Sequence, residues 1–569
     1  MSSFTPATGH YDASPPQVGL RPPEQVMRLE RMGAFYPTRL SFMRTMIRQL
    51  AQERVAVTCP DWSIDQEGYG HAVYRLELAG HVYSLVAFAQ ALAPEMRTDR
   101  VIAEAWDTSY VLFDGEPSQA DIERLAETVP KQEAGRFSQS DLVLSRANKS
   151  VRLFAHVVER LAAGVQPDED QIAEIGYLMR TTAVYGNGKF GVADRFRIAD
   201  RPGLSGPFQA EMLTVWLIRG FTHDLAEHVA RQRNPEQAVP LARRLKRHLG
   251  IGNATGLGMA PFLVTHPILL NNWMFARETA LARVRAIEHT DGLTAQRIRE
   301  LVARARCHLD QWQVDDRRQA DRLAELRDEM ADVERFCLRD LVAEPFPWAK
   351  LVGQTTSFSL ECQELVVALL LEPHGDLVDG LSECMASDTV PCLQPAMTVK
   401  TLRGLIDTRM AWALRFDFTE AGAVRRFWYV SEEKLEPRLG DRFNEPGAEL
   451  EMPLDIARQV SALRELLQKR ADDETVAELV LHHPEHREVV RRVQLSSTCP
   501  YAEIQDNLIG ADCLPIDMLR CKLSFFGATR FDPKSELWTR ITMYQGAPLF
   551  DELQERIADD WWLPVLEAD

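Results

Sequence analysis

Residues 71–88 read HAVYRLELAGHVYSLVAF, and the reading of the fold starts from them. Two runs rich in Val, Tyr, Leu and Phe flank the short turn Ala79-Gly80, so the stretch predicts an antiparallel hairpin. AWDTSYVLF, residues 105–113, is positioned to add a third strand. Upstream, residues 40–52 carry helical apolar spacing. Downstream, Ser118 and Asp121 have the spacing of a capping box that opens a helix. From there to about residue 345 the periodicity reads as almost wholly helical.

The β pattern returns near residue 400. MAWALRFDF (410–418) and VRRFWYV (424–430) flank Glu420-Ala421-Gly422 and predict a second hairpin. Short features follow both hairpins in the same order. Leu92-Ala-Pro94 and Asp99-Arg100 match Leu435-Glu-Pro437 and Asp441-Arg442. Asp141-Leu-Val-Leu144 matches Glu478-Leu-Val-Leu481. Tyr185-Gly-Asn-Gly-Lys189-Phe190 matches Phe526-Gly-Ala-Thr-Arg530-Phe531. The expectation is an internal duplication in a predominantly α, α+β protein. Two similar helix–β-hairpin–helix units, 31–200 and 395–569, flank a central helical region at 201–394. Residues 1–30, rich in proline and without periodicity, form an N-terminal arm.

Inside the central region, Ile298, Val302, Ala305, Leu309, Trp312, Leu323, Leu326, Met330, Val333 and Cys337 keep an alternating 4-3 spacing, broken in phase only at Asp316 and Gln319. This predicts one long helix over 294–338 with a coiled-coil-like seam. At ~1.5 Å per residue it would reach ~60 Å. Its partner is either another helix of the chain or its own copy in a second subunit, so a homodimer is an expectation.

Composition narrows the function classes. Net charge is -18, from 83 acidic against 65 basic residues, which disfavours nucleic acid as a partner. The longest apolar run, LVVALLL at 365–371, is seven residues. A membrane span needs about 20. The first 17 residues have no apolar core of a secretory signal. The nine cysteines contain no C-x-x-C pair, as expected of reduced thiols in a cytoplasmic protein.

The candidate chemistry lies in three glycine-bearing stretches. In 185–190 and 526–531, glycine lets backbone N–H groups approach a ligand, and Lys189 or Arg530 supplies charge for an anion. Tyr185 and Asn187 flank Lys189. Gly250-Ile-Gly252-Asn-Ala-Thr-Gly256-Leu-Gly258 follows a basic amphipathic helix, not a strand, so it is neither a dinucleotide fingerprint nor a phosphate-binding P-loop. As a loop it would offer Asn253 and Thr255 as donors. Cys521, between Arg520 and Lys522, is a candidate nucleophile because neighbouring cations lower a thiol pKa; Cys499 is a weaker one. His223 and His228, five apart on a helix, and His482, His483 and His486 around Pro484 do not form a metal set. The residues do not name a cofactor, which stays unknown at this point. The expected function is an enzyme for a small anionic metabolite, a carboxylate first, with Lys189 and Cys521 as catalytic candidates and Tyr185, Asn187, Asn253, Thr255 and Arg530 as binding residues. No reaction type follows from these residues. The alternative is a non-catalytic helical scaffold that docks through 294–338.

Overall fold

The computed structural model describes residues 19–91, 106–130, 138–181, 200–206, 208–256, 266–385, 392–417, 456–505, 515–534, 538–554 and 560–566, with residues 198 and 264 and three short strands between 428 and 453. Nine strands make one mixed sheet. They are β1 (Thr58–Ile64), β2 (Gly70–Leu78), β3 (His81–Ala89), β4 (Thr108–Asp114), β5 (Asp141–Lys149), β6 (Tyr177–Thr181), β7 (Gly250–Gly256), β11 (Arg530–Pro533) and β12 (Trp538–Met543), in the order β1-β2-β3-β4-β5-β6-β7-β12-β11. β8 (Trp428–Ser431), β9 (Pro437–Leu439) and β10 (Glu451–Pro453) form a separate small sheet. The helices that matter below are α1 (Gln119–Thr128), α2 (Glu169–Ile175), α3 (Gln209–Arg233), α4 (Arg243–His248), α5 (Gly292–Gln311), α6 (Arg317–Cys337), α7 (Leu360–Leu371) and α8 (Pro515–Phe526).

The expected hairpin at 71–88 is β2–β3, paired from Gly70↔Ala89 to Leu78↔His81. Strand alternation sends Tyr74, Leu76, Tyr83, Leu85, Tyr110 and Leu112 to the main core. Val73, Val86, Phe88, Val111 and Phe113 go to the opposite face, where Ile122 and Leu125 of α1 cover them. Ser118 and Asp121 form the predicted capping box at the start of α1. From β1 to β6 every pairing is antiparallel. β6 and β7 are parallel, and parallel neighbours require a crossover. The intervening chain contains α3, which is buried on nearly all sides and packs across β3 to β7.

This architecture overturns the expected fold class. The chain is a mixed α/β protein organised on a nine-stranded sheet, not two helix–hairpin–helix units beside a helical centre. Three differences decide it. Residues 411–415 form a 3-10 turn that buries Trp412 and Ala413, so no strand stands where the second hairpin needs one. Asp141-Leu-Val-Leu144 lies in β5, whereas Glu478-Leu-Val-Leu481 is helical. Flanking groups separate these two: Thr475 and Glu478 close a capping box, while Asp141 is taken by Arg124 at 2.8 Å on the sheet. Finally, the single long helix is two. Asp316 caps α6 by accepting from Gln319 N at 2.8 Å, at the point where the seam lost phase. α5 and α6 then fold back antiparallel: Arg299 Nε donates to Cys337 O (2.8 Å) and Arg327 Nη2 to Leu309 O (2.7 Å). The partner of the seam is the chain itself.

α7 contains the most apolar run of the chain and also a stripe of acids. Glu361, Glu364 and, one residue past its end, Glu372 share one helical face. Each meets arginines from other segments. Glu364 accepts from Arg21 (2.8 Å), Arg31 (2.6 Å) and Arg277, while Arg21 and Arg277 also hold Glu278 at 2.7 and 2.9 Å. Burial alone would raise the Glu364 carboxyl, but the three guanidiniums outweigh it and hold the group far below the usual carboxylate range. Glu372 pairs with Arg44 at 2.5 Å, and Glu361 with Tyr36 and Arg520. The segment around residues 21–48 is thus pinned to α7 by buried ion pairs.

Candidate functional site

The sequence-derived candidates fall in different places. Tyr185, Asn187 and Lys189 lie outside the described residues. The stretch 250–256 is not a loop but β7, between β6 and β12. Its glycines serve close packing. A Cβ on Gly250 would stand 2.3 Å from Met543 O, and one on Gly252 would stand 2.5 Å from the Tyr177 ring. Asn253 is buried there, and its Nδ2 has no partner within the chain. Thr255 pairs with Thr539 across the strands.

Arg530 opens β11, in one row with Thr542, Gly252 and Arg180. Its Nη1 donates to Ala173 O at 2.5 Å, and Arg540 reaches Glu174 O at 3.5 Å. Both therefore cap the C-terminal end of α2, where orphan carbonyls and the helix dipole favour cations. Cys521 on α8 is fully buried, and burial pushes its thiol well above the ordinary value. That is the opposite of an activated nucleophile.

The stretch 526–531 nonetheless borders a cleft. Gly527, at φ 96, ends α8 and turns the chain into β11. Ala528, Thr529 and Phe531 then line a small cleft with Tyr36, His308, Trp312, Arg520 and Trp562. The walls are largely rings. Arg520 lies over Tyr36 and Phe531, 5.0 and 5.7 Å from their centroids. One side of its guanidinium is fixed, with Nη1 on Glu361. The other nitrogen, Nη2, is buried without a partner in the chain, and so are Nε1 of Trp312 and Nε1 of Trp562. These side chains are 4%, 9% and 2% exposed. A buried donor left unpaired costs about 1–3 kcal/mol, and three of them belong to side chains that line this cleft.

His308, on α5, faces the same cleft. Its Nδ1 is 2.8 Å from Pro564 O. Donation to that carbonyl fixes the tautomer and leaves Nε2 with a lone pair. Burial lowers its pKa to about 4, so the ring is neutral at physiological pH. The carbonyl belongs to the segment 560–566, which runs along α5. Arg297 bonds Asp560 at 2.5 Å, and Gln311 exchanges bonds with Leu566 at 3.2 and 2.9 Å. Arg297, His308 and Gln311 share one face of α5.

The aromatic cleft was missed at the sequence level. In sequence Arg520 is only a neighbour of Cys521, yet adjacent helical residues point about 100° apart, Arg520 to the cleft and Cys521 to the core. Among the described residues no cluster of three or more His, Cys, Asp or Glu could hold a metal ion, and no helix is long and apolar enough to cross a membrane. Comparison with protein-family models, curated proteins and solved structures returns no match.

Proposed function

We propose that the chain binds and acts on a small ring-bearing carboxylate in the cleft between α5, α8 and the segment 560–566. The observation that carries this reading is the set of three unpaired buried donors, Arg520 Nη2, Trp312 Nε1 and Trp562 Nε1, around one ring-lined space. Rings of Tyr36, Trp312, Phe531 and Trp562 suit a planar apolar body. A carboxylate supplies acceptors for the indole N–H groups and a charge for the guanidinium. The expected anion partner thus becomes Arg520 in place of Arg530. His308 Nε2 is the group placed to take an acidic proton from the ligand. Its low pKa keeps it unprotonated above about pH 5 and makes it a weak base suited to an acidic proton.

The test is thermal unfolding and calorimetry of the full chain against benzoate, 1-naphthoate and indole-3-carboxylate, with the primary amides as controls. Binding only the native state raises the melting temperature. The carboxylates are expected to stabilise and the amides to do so less. No stabilisation by any of these carboxylates at millimolar concentration removes the reading. For any substrate found this way, His308→Gln should retain binding and lose conversion.

A second reading, a non-catalytic interaction role, draws on a different observation. Leu293, at the start of α5, and Leu338, just past the end of α6, are 84% and 69% exposed at the same end of the helical hairpin. Leu293→Ser with Leu338→Ser should then abolish self-association or partner capture while leaving carboxylate binding intact.

A further inference from the structure

A groove of about 420 Å³ lies between α6 and the short helix Pro347–Gln354. It shares no lining residue with the aromatic cleft. Both helices pack on α7, and each presents one stripe at helical spacing. From α6 and the residues just past it come Asp332, Arg335, Phe336 and Arg339, with Val333 beside them. From the other side come Leu351, Gln354, Thr355 and Phe358.

Three observations give the groove a chemistry. The first is its apolar floor. Val333, Phe336 and Leu351 are buried members of the main core, and Phe358 packs against that core. The volume falls within the ~300–1,000 Å³ of small-ligand pockets. Nine lining residues are well short of the roughly 20–30 a side that a stable protein interface uses, so the occupant is a small molecule.

The second observation is a free cation. The Arg339 guanidinium lies over the Phe336 ring, 5.3 Å from its centroid. Among the described residues it has no hydrogen bond and no ion pair. Nor is it needed at the helix end, because Arg299 already donates to Cys337 O at 2.8 Å and to Arg339 O at 3.3 Å. Stacking on the ring restrains the guanidinium, so less freedom is lost when a carboxylate forks onto it.

The third is the charge balance. Asp332 is the one carboxylate among the described lining residues, and it pairs with Arg335. Two guanidiniums against one carboxylate leave one positive charge unmatched, on Arg339. An apolar floor with a single unmatched guanidinium at its rim is the complement of an amphiphile with one negative head.

We infer that the groove between α6 and the helix Pro347–Gln354 binds a small amphiphilic carboxylate, its apolar body on Val333, Phe336, Leu351 and Phe358 and its head on Arg339. The probes are octanoate, octan-1-ol, octylammonium and butyrate, titrated into the full chain by calorimetry with thermal unfolding alongside. Octanoate should bind tightest and raise the melting temperature. Octanol lacks the charge, butyrate lacks the body, and octylammonium meets Arg339 with like charge, so each should bind more weakly. Arg339→Met keeps an apolar stem over Phe336 and removes the charge. Octanoate affinity should then fall about three- to tenfold, and Arg339→Lys should recover part of it. Arg339 is exposed, so both variants should unfold as the wild type does. Arg318→Met, exposed near the other end of α6, and Trp312→Phe, in the aromatic cleft, should leave octanoate binding unchanged. No octanoate binding in the wild type overturns the inference, as does octanol binding as tightly as octanoate, or unchanged octanoate affinity in Arg339→Met. Octanoate binding lost in Trp312→Phe but kept in Arg339→Met would place the ligand in the aromatic cleft and overturn it too. Self-association that Arg339→Met abolishes, in a wild type that takes no octanoate, would give the groove to a second copy of the chain instead.

Discussion

Trp312→Phe tests the aromatic cleft most cleanly, because it removes one N–H and keeps a ring. In the free protein Trp312 Nε1 is buried and bonded to nothing in the chain. Its deletion therefore breaks no intramolecular hydrogen bond. The lost volume costs about 1–2 kcal/mol at a buried position, and release of an unpaired donor returns about 1–3 kcal/mol. The terms oppose each other, so unfolding stability should change by no more than about 1 kcal/mol. Ligand binding should respond very differently. A hydrogen bond to a charged acceptor contributes about 1.5–3 kcal/mol, which is roughly a 10- to 150-fold loss of carboxylate affinity. Calorimetric titration with 1-naphthoate and urea unfolding of the same preparation read the two quantities independently. A stability loss above about 2 kcal/mol with unchanged affinity would show that the indole is a packing element and would refute the argument.

Other expectations follow from the same chemistry. His248 and His308 have folded pKa values of about 4 against about 6.5 unfolded. The unfolded chain therefore binds more protons between these values, and stability should fall by about 1.4 kcal/mol per pH unit per histidine as pH drops from about 6.5 to 4; His308→Gln should flatten this slope in urea titrations across that range. Glu364→Gln leaves Arg21, Arg31 and Arg277 around a neutral amide and should destabilise by about 3–5 kcal/mol, read by chemical denaturation. Gly250→Ala forces a Cβ to 2.3 Å from Met543 O and should cost about 1–3 kcal/mol. Gly404→Ala, in a helix with open space around the position, should stabilise by about 1 kcal/mol, and melting curves of the pair give opposite signs.

What could be read in advance was local and what could not was long-range. Alternation in 71–88 and the Ser118–Asp121 box are properties of neighbouring residues, and both are present in the structure. The break between α5 and α6 also has a local mark, the phase slip at Asp316 and Gln319, but the seam continues in step on both sides of it and so reads as one helix. Gly250–Gly256 defeated the reading because a strand so poor in side chains carries no alternation. Only its neighbours, the Tyr177 ring and Met543 O, explain its composition. The triplet Leu-Val-Leu in β5 and after Thr475 shows a short apolar run taking the structure its flanks impose. The aromatic cleft gathers Tyr36, His308, Trp312, Arg520 and Trp562 from four separated regions, and no local periodicity encodes such a meeting.

The place of β7 in the sheet has a consequence for biosynthesis. One neighbour, β6, precedes it in the chain, but the other, β12, begins at Trp538, 282 positions after Gly256. At about 5–20 residues per second, ribosomes need roughly 14–56 s to deliver that strand. For this interval β7 is a bare edge on a nascent chain, with open backbone N–H and C=O groups that a neighbouring polysome product could capture. A cell that makes this protein must either shield that edge or tolerate losses there. Pulse-labelled nascent chains stalled between residues 260 and 530 should therefore aggregate more readily than chains stalled after residue 545.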